Sequence, residues 1–415
     1  MPRLNQLKFN QLSSEVRQYL IVTANYWAFT LTDGALRMLV ILHFHGLGYS
    51  PLQIAMLFLF YEIFGVITNL VGGWLGARLG LNRTMNIGLF TQLIALGMLL
   101  VPVSWLTVIW VMAAQALSGI AKDLNKMSAK SAIKLLVPSN AEGQLYKWVA
   151  LLTGSKNTLK GVGFFLGGVL LSTIGFQGAV LMMLLALMCV WICSLVLLRD
   201  DLGKASNKPK FSHLFSNNRA VNILAAARLF LFAARDVWFV VALPVYLASS
   251  FGWDHWSVSG ALALWIIGYG VVQTLAPKLT RRQDQATPDG RSALLWATGL
   301  ALTPALIGLA IANDFHVGLS LFLGLLCFGI LFAINSSLHS YLIISYARSD
   351  GVSLDVGFYY MANALGRLLG TVLSGWVYQV YGLSACLWIS TLFVILAALI
   401  SIGLPQHSPK HSTQI

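Results

Sequence analysis

Apolar stretches of about 20 residues follow one another along almost the whole chain, each long enough to cross about 30 Å of hydrocarbon as a helix. Short polar turns part them. The pattern predicts spans at about 18–46, 51–76, 84–102, 105–136, 143–174, 178–198, 220–249, 256–278, 292–312, 317–346, 352–380 and 384–404. The first follows a polar stretch over 1–17 with no small-residue cleavage site behind it, so it reads as a retained helix. A central polar stretch over 199–219, with Lys204, Lys208, Pro209 and Lys210, has the composition of a solvated linker. It divides the chain into six-span units over 18–198 and 220–404, with a tail over 405–415. The expected fold is all-α and integral to a membrane, with twelve transmembrane helices in two six-helix bundles.

The two units look like copies of one another. Asp33 in span one corresponds to Asp236 in span seven, and Gly65 in span two to Gly270 in span eight. In span five, Lys160, Gly163, Gly168 and Gly175 correspond to Arg367, Gly370, Gly375 and Gly382 in span eleven. Bundles related by an axis along the membrane normal can rock against each other around a site between them. The glycine pairs Gly72-Gly73 and Gly167-Gly168 suit helices that must approach closely, for sliding or simply for tight packing.

Composition agrees with a membrane setting. The 415 residues are 57% hydrophobic and 10% charged, which leaves too little polar surface for a water-soluble domain. A net charge of +13 invites a nucleic-acid reading, but its placement argues otherwise. One set of connections carries Arg78, Arg83, Lys134, Lys204, Arg219, Lys278, Arg291 and Arg348, among others. The opposite set, around Gly48, Ser104, Gly175, Trp253, Asp314 and Gly382, has no Lys or Arg. The positive-inside rule then puts both termini in the cytoplasm. The expected surroundings are lipid, with no nucleic-acid partner.

Reactive chemistry is sparse. Cys189, Cys193, Cys327 and Cys386 all fall within apolar spans without metal-ligand spacing. Cys189 and Cys193, one turn apart, are small hydrophobes or a thiol pair for a soft ion. No G-x-x-x-x-G-K-[ST] loop is present for a nucleotide. Paired carboxylates, His clusters and nucleophile–base pairs with usable spacing are missing too, so neither an enzyme nor a cofactor is expected.

The remaining charges stand at membrane depth, where a cation costs about 2.5–3.5 kcal/mol on insertion scales. Lys122, Lys126, Lys130 and Lys134 form a basic ladder down span four, because residues four apart lie nearly above one another. Lys156 and Lys160 sit near mid-depth on span five, as do Arg37, Arg235 and Arg367 on spans one, seven and eleven. Lys130, Lys134 and Lys147 are near enough to the cytoplasm to snorkel and are assigned to topology. Arg37, Lys122, Lys126, Lys156, Lys160, Arg235 and Arg367 outnumber the deep acids Asp33, Glu62, Asp123 and Asp236. The excess points to a multiply charged anionic cargo. Arg suits a bidentate grip on phosphate-like oxyanions, and Lys adds point charge. Asn25, Gln115 and Asn157 are the uncharged donors expected beside them.

The acids have other expected duties. Asp33 precedes Arg37 by four, the order that favours an ion pair within one helix. Asp123 and Asp236 each follow a cation directly, and adjacent residues point in different directions, so both should pair across helices. Glu62 stands among Phe60, Tyr61, Ile63 and Phe64 with no cation on its own face. It is the first candidate for a proton carrier, with Asp33 and Asp236 next. His43, His45 and His339 are alternative relays or ordinary polar residues at helix ends and cavity walls.

The duplicated twelve-span plan resembles the major facilitator superfamily. The loop Gly73-Trp74-Leu75-Gly76-Ala77-Arg78-Leu79-Gly80 is similar to that family's G-x-L-a-D-r-x-G signature, with Ala77 where the acid belongs. Gly163-Phe164-Phe165-Leu166-Gly167-Gly168 resembles its G-P-x-x-G-G antiporter motif, with Phe164 in place of proline. Longer strings resemble the ArsJ-type organoarsenical efflux permeases. These are Tyr26 to Arg37, Ser118 to Lys130, Gly154-Ser155-Lys156-Asn157 and Ala234 to Phe239. That likeness implies a bacterial inner-membrane exporter of 1-arseno-3-phosphoglycerate, working beside a glyceraldehyde-3-phosphate dehydrogenase that makes the compound from arsenate. It implies arsenate resistance, with proton exchange as the expected energy source. The alternative is an uptake or exchange carrier for ordinary organophosphates.

Overall fold

The computed structural model describes residues 14–49, 57–136, 142–198, 202–205, 216–253, 255–280 and 287–406. The expected start of span two, most of the linker and nearly all of the tail lie outside them. Every element described is helical. Span one is Ser14–Gly46, span two Leu59–Leu79, span three Leu81–Met98 and span four Val108–Leu136. Spans five and six form the double-length helix Glu142–Leu197, which breaks at Gly175. Span seven is Arg219–Phe239 continued by Ala242–Phe251. Spans eight, nine and ten are His255–Leu279, Gly290–Ala312 and Val317–Tyr346. Spans eleven and twelve share Val352–Ser401, broken at Gly382.

The two breaks sit at matching places in the two units. Gly175 has φ 69 and Gly382 φ 77, with extended ψ, a backbone region that only glycine enters freely. Each lets the chain reverse at the membrane surface without a loop. Span seven is interrupted differently. Pro244 supplies no N–H near the start of its second segment, and the N–H of Ala242 is taken up by Ser374 Oγ at 3.1 Å.

Seven of these helical segments are long and apolar enough to cross a membrane by length and composition. Two of the seven are the double-length helices, which cross twice. Spans one, three and four complete the twelve and are the more polar ones, because they turn side chains such as Asp33, Gln92 and Lys122 inward. The outward surface is apolar, with Ile109, Phe165, Val196 and Leu264 largely exposed, as lipid contact requires.

Two cores organise the molecule. The first runs through the first bundle and continues into spans ten and eleven, taking in Leu338 to Ile344 and Val352 to Tyr360. The second, around Trp238, Phe328 and Phe332, belongs to the second bundle alone. The bundles are therefore fused where spans ten and eleven meet the membrane surface that carries Arg78, Lys134, Arg219, Lys278 and Arg348. We call this the basic end. Two glycine crossings close it. A Cβ on Gly73 of span two would lie 2.5 Å from the Ser353 carbonyl oxygen and 3.0 Å from the Gly357 Cα on span eleven. A Cβ on Gly154 of span five would meet the Gly270 carbonyl oxygen of span eight at 2.5 Å.

These contacts revise the expected repeat. Gly65 lies against Asp123 on span four, whereas Gly270 crosses span five, so the two are not equivalent. Gly73 plays for spans two and eleven the part that Gly270 plays for spans eight and five. Gly167, by contrast, packs on Ala35 within its own bundle.

Candidate functional site

A chain of ions crosses from one bundle to the other near mid-depth. Arg37 Nη2 on span one lies 3.2 Å from Glu62 Oε1 on span two. The same oxygen is 3.5 Å from Arg367 Nη2 on span eleven. Arg367 Nε then reaches Asp236 Oδ2 on span seven at 3.3 Å, and Asp236 Oδ1 accepts from Arg235 Nε at 2.5 Å. Glu62 is the link between the halves, and its side chain stays 33% exposed, with Arg367 at 34%. The cluster is thus only partly enclosed by protein.

Helix geometry explains who joins. Asp33 and Arg37 are one turn apart on span one and face span two, but they do not form the expected pair. Asp33 accepts from the Tyr61 hydroxyl, at 2.8 Å to Oδ1, and Arg37 turns to Glu62. The Arg37 guanidinium also lies 4.9 Å from the Phe58 ring centroid and 5.0 Å from that of Tyr61, a cation–π setting. Lys122 Nζ sits 3.8 Å from the Tyr61 ring centroid. Asp123 was expected to pair across helices; it binds Lys126 Nζ at 2.5 Å on its own helix, three residues on, with Lys122 at 3.8 Å. The expectation for Asp236 holds through Arg367, but its neighbour Arg235 shares it.

Glu62 needs a larger correction. Its own helical face holds no cation, yet two arginines converge on it, one from each bundle. Spacing along span two cannot reveal partners brought by tertiary packing.

Lys156 and Lys160 complete the cluster. Both are half-buried, and among the described residues neither has a hydrogen-bond acceptor or an ion-pair partner. They interact electrostatically with Arg37, Lys126 and Arg367, and Lys160 also with Asp33 and Glu62. Lys160 Nζ lies 5.7 Å from the Phe164 ring centroid. Asn157 joins the seam between bundles, donating to Gln273 Oε1 on span eight at 2.6 Å. Asn25 does not reach the cluster. Its amide donates to Ser194 Oγ at 2.9 Å, and Ser194 in turn donates to Asn86, inside the first bundle. Gln115 is buried, and among the described residues its Nε2 is unpartnered and no hydrogen bond joins it to the cluster.

Two buried cations escape a reading by position. Lys130, expected to snorkel, is 4% exposed and donates to the Tyr360 hydroxyl of the other bundle at 2.5 Å. Arg228 on span seven, 3% exposed, donates to Asn363 Oδ1 at 2.8 Å and to the Ser336 carbonyl at 3.2 Å. Its sequence signal, an arginine within an apolar run and seven residues before Arg235, was as strong as the others. His43 is stacked on Phe176 at 4.1 Å, and His339 is buried with Nδ1 unpartnered among the described residues. Cys189 and Cys193 are exposed on the outward surface.

A charged, partly exposed cluster held between two helical bundles is the build of a membrane carrier working by alternating access. The chain belongs to the major facilitator superfamily, whose family model matches residues 19–354. Several solved structures share the fold. The human organic anion transporter MFSD10 is 16% identical, with 94% of this chain and 100% of that chain covered and a TM-score of 0.72. A bacterial homologue of the iron transporter ferroportin, in an outward-facing state, is 14% identical over 93% and 98%, TM-score 0.72. The E. coli fucose:proton symporter is 12% identical over 94% and 99%, TM-score 0.72. At such identities the likeness is one of fold. No curated protein matches the chain.

Proposed function

We propose that this carrier exports an anionic organoarsenical, 1-arseno-3-phosphoglycerate, across the bacterial inner membrane, with both termini and the basic end in the cytoplasm. The observation that supports this is the pair Lys156 and Lys160, held one turn apart beside the arginines of both bundles and, among the described residues, with no acceptor of their own. Arg37 and Arg367 already share one carboxylate oxygen, so an arriving oxyanion finds both guanidiniums aimed at one point. Lys156 and Lys160 then face the solute's second charged group. A molecule with phosphate at one end and arsenate at the other matches two such positive poles. Glu62 carries the proton linkage, while Asp33 and Asp236 fix Tyr61 and Arg367 around it. The functional partner is the glyceraldehyde-3-phosphate dehydrogenase that forms the cargo.

An arsenate-sensitive host expressing the chain, with and without that dehydrogenase, tests the reading. Tolerance should appear only with both. Lys156→Ala or Lys160→Ala should abolish it while the protein level in the membrane persists. Full tolerance in both variants would refute the site. An ordinary glycerol or sugar phosphate presents the same oxyanion geometry. Everted vesicles offered organophosphate and organoarsenate in parallel separate the two, and a preference for organophosphate would make this an uptake or exchange carrier.

A further inference from the structure

Below the central cluster, toward the basic end, the bundles enclose two cations that the ion chain does not use. Lys130 Nζ has the Tyr360 hydroxyl at 2.5 Å and Thr153 Oγ1 at 3.2 Å. Arg228 has Asn363 and the Ser336 carbonyl, and its guanidinium lies 3.9 Å from the Phe232 ring centroid. Among the described residues every one of these partners is neutral. This sets them apart from Arg37, Lys126, Arg235 and Arg367, each of which holds a carboxylate. The two feel each other's charge. Two further polar atoms near Arg228 are buried without a partner among the described residues, His339 Nδ1 and the Tyr359 hydroxyl, whose ring centroid is 5.4 Å from the guanidinium.

Burying a cation with no counter-charge is unfavourable, and a second cation nearby makes it more so. Parting of the bundles at the basic end would relieve both. Tyr360 and Arg228 belong to the second bundle, Lys130 and Thr153 to the first. When the bundles part at the basic end, Lys130 loses Tyr360 and both cations meet water from that side. Tyr360 also stands between this place and the central site, since its ring centroid lies 4.8 Å from Lys126 Nζ and 4.8 Å from Lys130 Nζ.

We propose that Lys130 and Arg228 form a second anion station for a phosphate-like group, occupied from the basic side when that end opens and covered by Tyr360 when it closes. The station rests on the anion reading of the central cluster and adds sidedness to it. The cargo docks first on Lys130 and Arg228, then passes up the ladder to Lys126 and the arginines as Tyr360 swings in behind it. On the opposite side no such step exists, because the station is sealed whenever the site faces that way.

Sidedness is therefore the measurement. Uptake of 3-phosphoglycerate, and in parallel of the arseno compound generated by the dehydrogenase in the medium, is followed in everted and in right-side-out vesicles containing the full chain. Lys130→Gln and Arg228→Gln should each raise the half-saturating concentration at least tenfold from the basic side and leave it within twofold from the other. Lys130→Arg, which keeps the charge, should stay within threefold of the native protein on both sides. Lys156→Gln should weaken uptake from both sides. If Lys130→Gln and Arg228→Gln shift both sides equally, or neither, while Lys156→Gln impairs uptake, the station is wrong and the central site stands. If Lys156→Gln leaves uptake intact, the central reading fails by itself. No uptake of either probe by native vesicles from either side overturns both.

Discussion

Replacing Gly73 by Val should wedge the basic end open. The new Cβ would stand 2.5 Å from the Ser353 carbonyl oxygen and 3.0 Å from the Gly357 Cα, which are backbone atoms that cannot swing aside. Ordinary contact at about 3.5 Å requires the helices to part by roughly 1 Å. Overpacking of this kind costs about 1–3 kcal/mol. Only the conformation closed at the basic end bears that cost. A free-energy difference of this size moves a two-state equilibrium by about 5–150-fold. The reporter is Thr153→Cys in a chain whose Cys189, Cys193, Cys327 and Cys386 are replaced by Ser. Thr153 is 5% exposed and lies behind the closure, bonded to Lys130. A membrane-impermeant maleimide applied to everted vesicles should label it at least fivefold faster in Gly73→Val. Gly97→Val is the control, because its Cβ would have only Leu184 Cδ1 nearby, at 4.0 Å. Equal labelling rates in Gly73→Val and the parent chain would refute the view that this crossing limits opening.

Two further outcomes test the frame around the site. Gly175→Ala and Gly382→Ala force a side chain into a positive-φ backbone, which costs about 1–2 kcal/mol, so each should lower the thermal midpoint of the purified protein by a few degrees with wild-type transport at 20 °C below that midpoint. Arg348→Ala strips the fully buried Asp355 of its two guanidinium hydrogen bonds and leaves it Ser216 and one backbone N–H. The backbone N–H of residue 348 survives the change, and the native arginine is half-exposed, so the loss should be about 2 kcal/mol, below the 3–5 usual for a broken buried pair; thermal denaturation in detergent measures it.

Much of the architecture is legible in the chain because hydrophobic length is a local property. The double-length helices Glu142–Leu197 and Val352–Ser401 read correctly as two spans each, since Gly175 and Gly382 punctuate them. The depth of each cation follows from counting residues within a span, and Arg37, Arg235 and Arg367 do converge. What spacing cannot give is the partner. Glu62 looked alone because the arginines beside it come from spans one and eleven. Asn25 looked available because nothing local shows Ser194 turning toward it from span six. Lys130 illustrates the opposite error. Its position near a helix end suggested snorkelling, but span eleven brings it the Tyr360 hydroxyl at 2.5 Å and it stays buried. Gly65 and Gly270 matched by offset alone, and offset says nothing about which face of a helix a glycine presents.

The bridging carboxylate also fixes the sign of proton linkage. An oxyanion that takes Arg37 and Arg367 must displace Glu62 from both, and a proton on Glu62 gives up both arginines in the same way. Cargo and proton therefore assist each other's binding, and the assistance is reciprocal. Exchange of one for the other needs the reverse relation. Export of a multiply charged anion does not depend on exchange, because a membrane potential negative inside drives each negative charge outward by about 2.3 kcal/mol per 100 mV. A cargo with two or more charges still leaves with net negative charge when one proton accompanies it. Adding 3-phosphoglycerate to the purified carrier in weak buffer should thus withdraw protons from solution, up to one per carrier. Glu62→Gln should abolish that uptake and bind the anion about five- to tenfold more tightly, having no resident charge to displace. In proteoliposomes with the site's basic end inward, an imposed interior-negative potential should accelerate efflux, whereas a pH gradient alone, acid outside, should retard it. Proton release on binding, or weaker anion binding by Glu62→Gln, would show that Glu62 does not hold the seat the cargo takes.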